Sequence, residues 1–128
     1  MILVDTNVFI DYWNNPIQSW TNVFQKNEIA VCGVIKTELL RGCHSKKEFE
    51  KINNALDCFE YLSFDEKDWI EVSKIFIELK RCGLSVPFQD GIIAYIAKKY
   101  KCKIWTNDNH FKLIKNIIPE INLLRVKI

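Results

Sequence analysis

The sequence predicts an α/β fold with a central parallel sheet of about five strands, covered by helices on both faces. Three observations carry this expectation. Short apolar runs alternate with longer amphipathic segments from one end to the other. The runs are too short and too rich in β-branched or aromatic residues to read as helices. No repeat, low-complexity tract or linker interrupts the alternation, so one domain over residues 1–128 is expected.

The elements follow in order. Ile2-Leu3-Val4 reads as a buried strand that ends at Asp5. Tyr12, Trp13, Trp20 and Phe24 come next, and Pro16 breaks the segment into helix, turn and helix. Ile29–Cys32 is the second strand, and Glu38 lies in the helix after it beside Ile35, Leu39 and Leu40. A charged helix over residues 48–55 precedes a third strand over 58–62. Trp69, Val72, Phe76 and Leu79, with Ile75 beside them, form a helical stripe. Ser63 and Asp65 compete as its N-cap, and Gly83 suits its stop. Ile92, Ile93, Ile96 and Ala97 form a second stripe after Pro87, with Asp90 in its first turn. Residues 103–106 and 121–126 complete the strands.

Composition narrows the class. Hydrophobic residues make up 48% and charged residues 27%, which suits a globular chain and excludes disorder. Lys plus Arg number 18 against 16 acids, so the net charge of +2 excludes a basic nucleic-acid tail or an acidic solvating segment. No apolar stretch is long enough to span a membrane, and the start lacks the pattern of a secretory leader. The five cysteines are odd in number and contain no Cys-x-x-Cys pair. Reduced, buried or half-buried thiols in a cytoplasmic protein are therefore expected.

Ligands of open parallel sheets bind beyond the carboxyl ends of the strands. Asp5-Thr6-Asn7 follows the first strand, and Thr106-Asn107-Asp108 follows the fourth. If those strands are neighbours, Asp5, Glu38, Asp90 and Asp108 converge on one crevice. Carboxylates packed together raise one another's pKa and call for a cation. Oxygen donors without His or Cys suit Mg²⁺ or Mn²⁺ rather than zinc. The chemistry that fits is phosphodiester hydrolysis. Taken singly the motifs are weak: Asp90 reads equally as a helix cap, and Glu38 as a solvated helix charge.

These residues carry a resemblance. Residues 2–10 (ILVDTNVFI), 37–42 (TELLRG), 87–94 (PFQDGIIA) and 105–111 (WTNDNHF) resemble the motifs of PIN domains, in family order. The small stand-alone VapC-type toxin nucleases are the most similar group. The resemblance implies an α/β/α sandwich whose first and fourth strands adjoin. It also implies Mg²⁺- or Mn²⁺-dependent endoribonuclease activity on RNA, with a co-expressed antitoxin as partner. Asp5, Glu38, Asp90 and Asp108 would be the catalytic, metal-binding acids, and Thr6, Asn7, Thr106 and Asn107 polar groups that orient them. One departure is Gly91, where the family often has Ala or an apolar residue; it is expected to loosen the first turn of that helix. Residues 84–89 follow the family pattern only loosely.

Cations are expected around such a crevice. Arg41, on the helix of Glu38, is the candidate RNA contact, with Lys112 and Lys115 after the fourth acid. The lysine-rich stretch 98–103 reads better as a solvated helix end matched to the helix dipole. Core packing is the default for Tyr12, Trp13, Trp20 and Phe24, and an exposed part of that set would seat an antitoxin helix or a second copy in a homodimer. His44 and His110 read as structural or solvent-facing; His110 is placed to touch substrate and is not assigned as a base. Rival readings are a PIN nuclease outside a toxin–antitoxin pair and a non-catalytic binding or signalling module. A haloacid-dehalogenase-like phosphatase would need an acid at Asn7, and a receiver domain an acid ending the third strand; neither is present.

Overall fold

The computed structural model describes residues 1–126. Five parallel strands form one sheet in the order β3-β2-β1-β4-β5. They are β1 (Ile2–Val4), β2 (Ile29–Cys32), β3 (Glu60–Leu62), β4 (Lys103–Trp105) and β5 (Asn122–Leu123). The helices are α1 (Thr6–Asn14), α2 (Gln18–Lys26), α3 (Gly33–Arg41), α4 (Lys46–Leu56), α5 (Glu66–Arg81), α6 (Phe88–Tyr100) and α7 (His110–Ile117). The first and fourth strands adjoin as expected, with Leu3 opposite Ile104 and Val4 opposite Trp105. β1 and β2 are buried along their whole length, which is why they read as continuous apolar runs rather than alternating ones.

Several boundaries move for local reasons. The third strand begins at Glu60, not residue 58, because the Cys58 and Phe59 amides still bond Ala55 and Leu56 in the last turn of α4. The fifth is shorter than residues 121–126, although the Leu124 amide adds one bond to Ile104 at 2.8 Å. Asp65, not Ser63, caps α5, in a reciprocal box with Asp68. Gly83, at φ 79°, follows its end, a conformation that favours glycine.

The stripe on α5 rotates by one position. Val72, Ile75 and Leu79 face the core, but Trp69 is half exposed and the buried partner in its place is Asp68. Asp68 accepts hydrogen bonds from Tyr95, from Lys99 at 2.9 Å and from the Asp65 amide at 2.6 Å, which makes its burial affordable. Lys99 thus belongs to the packing of α5 on α6 rather than to a freely solvated helix end. Among the aromatics near the start, Trp20 lies edge-on to Trp105 at 5.1 Å, and Tyr12 stacks on Phe24 at 4.6 Å. The core reading holds for them; because Trp20 is buried, the exposed part of the set that could seat an antitoxin helix or a second copy is Trp13. Two thiols also depart from expectation: Cys58 and Cys82 are exposed, while all five cysteines are free.

Candidate active site

The β1–β4 ladder runs one residue past the strands, because the Asp5 amide donates to the Trp105 carbonyl at 2.9 Å. That bond sets Asp5 beside Thr106, at the carboxyl edge of the two central strands. Asp5 is the N-cap of α1, accepting from the Thr6 amide at 2.8 Å. Its other oxygen accepts from the Thr106 hydroxyl at 2.7 Å and from Asn7 Nδ2 at 3.3 Å. Thr106 Oγ1 in turn accepts the Asp108 amide at 3.0 Å and Asn7 Nδ2 at 3.5 Å, so its one donor and two acceptor positions are all used. Asn7 Oδ1 accepts the Asn107 amide at 3.1 Å, and Asn107 Nδ2 reaches Asp11 at 2.7 Å. These bonds tie the loop after β1 to the loop after β4.

The remaining acids arrive on helices. Glu38, on α3, is half-buried and meets Thr6 Oγ1 at 3.4 Å. Asp90 stands in the first turn of α6, whose N-cap is Pro87, so the cap reading of Asp90 fails. It is buried, and its Oδ2 lies 3.1 Å from His110 Nδ1. Asp5, Glu38, Asp90 and Asp108 line one open cleft of about 220 Å³ together with Thr6 and Asn7. Thr106 and Asn107 stand behind the acids, and Arg41 is exposed at the end of α3, where its charge favours ionised Glu38. Lys115 turns away to bond the Ile121 carbonyl at 2.5 Å, so it is not a cation of the cleft.

Burial pushes the carboxyls of Asp5, Glu38 and Asp90 upward. Neighbouring acids add to the rise: Asp108 acts on Asp5 and Asp90, and Asp5 on Glu38 and Asp90. Hydrogen bonds from Thr106 and Thr6 oppose the rise at Asp5, as the contact with His110 does at Asp90. Anions that repel one another in a partly desolvated cleft make a ready site for a hard cation.

His110, read as structural or near the substrate, also contacts two of the acids, which the sequence reading did not foresee. Its Nδ1 lies between Asp90 Oδ2 at 3.1 Å and Asp108 Oδ1 at 3.2 Å, and its amide donates to Asp108 at 2.9 Å. Donor atoms of Asp90, Asp108 and His110 fall within 4.8 Å of one another. The available signal was its place two residues after Asp108, at the start of a helix, where a side chain can turn back over the loop.

The family model described as PIN domain matches residues 2–117. The chain belongs to the PIN domain family. This PIN domain is 31% identical over 115 residues to Ribonuclease VapC1 of Methanocaldococcus jannaschii, covering 89% of this chain and 81% of the relative. It is 28% identical to Ribonuclease VapC2 of Rickettsia felis over 127 residues, covering 92% and 95% of the two chains. Among solved structures it resembles VapBC2 from Rickettsia felis bound to a promoter DNA fragment, with a TM-score of 0.82, 25% identity and coverage of 99% and 100%. DNA-bound VapBC from Salmonella typhimurium shares the fold, at a TM-score of 0.80, 23% identity and 96% coverage of each chain.

Proposed function

We propose that this PIN domain is a Mg²⁺- or Mn²⁺-dependent endoribonuclease and the toxin of a toxin–antitoxin pair. The observation that carries the reading is the convergence of Asp5, Glu38, Asp90 and Asp108 on one cleft at the carboxyl edge of β1 and β4. The relatives named as VapC ribonucleases support the activity, and the VapBC structures support an antitoxin as partner. The donor set fits a hard divalent cation, which would be held by the four acids. Once bound, such an ion activates water and offsets charge on the phosphate.

The chain's own residues do the rest. Thr106 and Asn7 fix Asp5, and Thr6 orients Glu38. Asn107 keeps the loop of Asp108 against α1, and His110 holds Asp90 and Asp108 in one arrangement. Arg41 supplies positive charge for the RNA backbone near acids that would otherwise repel it. The domain acts in the cytoplasm, with RNA, an antitoxin and a second copy of the chain as partners.

The test is cleavage of total RNA by the purified protein. We expect cuts with Mg²⁺ or Mn²⁺, none in EDTA, and a loss of at least about a hundredfold in Asp90→Asn, the scale of losing a group that acts in the transition state. Cleavage that survives EDTA and the substitution refutes the metal mechanism. Capture of the product of an adjacent short reading frame, with loss of cleavage, tests the toxin assignment.

A further inference from the structure

Asp108 lines two cavities. One is the cleft of the four acids; the other, of about 300 Å³, lies on its far side between the loop after β4, α7 and the segment after β5. Trp20, Leu124 and Val126 give it apolar walls, and Asn109, Lys112 and Arg125 give it polar ones. Its size sits near the lower end of small-molecule pockets, which suits one planar heterocycle better than an extended ligand.

Three features of this cavity are unused by the fold. Lys112 and Arg125 are exposed, and neither forms an ion pair among the described residues. Asn109 is the N-cap of α7, yet its side chain makes no capping hydrogen bond, whereas Asn107 beside it is committed to Asp11. Trp20 is nine-tenths buried, and its Nε1 is the buried side-chain polar atom without a hydrogen-bond partner among the described residues. Apolar walls, a free planar amide and two free cations form the set that recognises a base joined to phosphates. A peptide would not need two cations beside an acid that faces the cleavage site.

We propose that this cavity receives the base of a nucleotide adjoining the cleaved phosphodiester. Asn109 reads the edge of the base, and Lys112 and Arg125 hold the flanking phosphates. The assignment rests on the nuclease reading above and adds to it the residues that choose where RNA is cut.

Cut sites mapped in a random-sequence single-stranded RNA library with Mn²⁺ test it. Wild type should favour particular bases at one position beside the cut. Asn109→Ala should flatten that preference several-fold, with Asn109→Gln restoring part of it. Lys112→Ala combined with Arg125→Ala should raise KM several-fold more than it lowers kcat. All three side chains are exposed, so the variants should fold. An unchanged base profile and unchanged KM overturn the proposal, and variants that keep the profile but lose antitoxin binding overturn it in favour of a peptide site. A second measurement separates failure of the pocket from failure of the nuclease reading. In EDTA, saturating nucleoside 5′-monophosphates should shift the Trp20 indole N–H resonance, assigned with Trp20→Phe, and Asn109→Ala should weaken that binding. A saturable shift without any RNA cleavage supports the pocket and refutes the nuclease; cleavage without any shift refutes the pocket alone.

Discussion

At the scale of single residues, the acids of the cleft differ in what else they do. Asp5 caps α1 and accepts three side-chain or backbone donors, so its amide variant would disturb structure as well as charge. Glu38 has only the long contact to Thr6, which makes Glu38→Gln the cleaner probe of stored repulsion. In EDTA this change should leave stability unchanged or raise it by about 1 kcal/mol, a melting shift of a few degrees. With Mn²⁺ the order should reverse, because a ligand stabilises the form that binds it. Thermal melts of both proteins in both conditions check this, and a wild type that gains no more than the variant from Mn²⁺ would refute a shared ion. Asp68 offers the opposite sign. Hydrogen bonds from Tyr95, then from Lys99, pull its carboxyl from an ordinary 3.8 to about 2. A depressed folded value means its contribution is complete above about pH 4 and is lost as pH falls toward 2. Asp68→Asn should therefore be less stable than wild type at neutral pH, and the gap should close across that window. Denaturation midpoints from pH 7 down to 2 would expose a constant gap if the pairing contributes nothing.

At the scale of elements, most of the fold was legible, because buried parallel strands leave unbroken apolar runs and capped helices leave punctuation. Asp5 and Asp108 were legible because strand ends can be located and chemistry gathers there, whereas Glu38 and Asp90 lie on helices and stood out only beside the other motifs. What stayed hidden depends on rotation about a helix axis. Trp69 fits the apolar spacing of α5 as well as its neighbours do, but a salt-bridged Asp68 takes the buried place. Gly91 was hidden too. It is buried, and a Cβ there would stand 2.3 Å from the Phe76 ring, which lies flat on Phe88 at 5.4 Å. The glycine therefore makes room for α5 to pack on α6. Gly91→Ala should cost about 1–3 kcal/mol, the usual range for overpacking. Combining it with Phe76→Leu should recover part of the loss, since the smaller side chain leaves the space. Urea denaturation of the two singles and the double measures the coupling, and strict additivity would show that the ring is not the obstacle.

At the scale of the whole molecule, the proposed second copy needs a surface other than the buried Trp20. α5 supplies one, because it is apolar on two sides: Val72, Ile75 and Leu79 face inward while Trp69, Ile70 and Ile77 face solvent. Phe88 extends the outer row by stacking on both Phe76 and Trp69, and is itself 60% exposed. An apolar row of this kind facing solvent is the kind of patch that serves as an interaction surface. Both ends of the helix carry both signs, Glu66 and Lys67 at the start and Glu78, Lys80 and Arg81 at the end, so two copies crossed antiparallel about a two-fold axis can set opposite charges against each other. That self-complementarity favours a second copy of the chain over a chemically different partner. Phe88 itself does not line the cleft, but its chain neighbours Pro87 and Gln89 do. Sedimentation at micromolar concentration should show a dimer for wild type. Ile77→Glu places like charges across the axis at an exposed position and should shift the equilibrium to monomer by at least tenfold, while Trp13→Ser should not. A wild type that stays monomeric, or an Ile77→Glu variant that stays dimeric, would remove this face as the dimer contact. Loss of antitoxin capture by Ile77→Glu in a protein that is monomeric throughout would assign the face to the antitoxin instead.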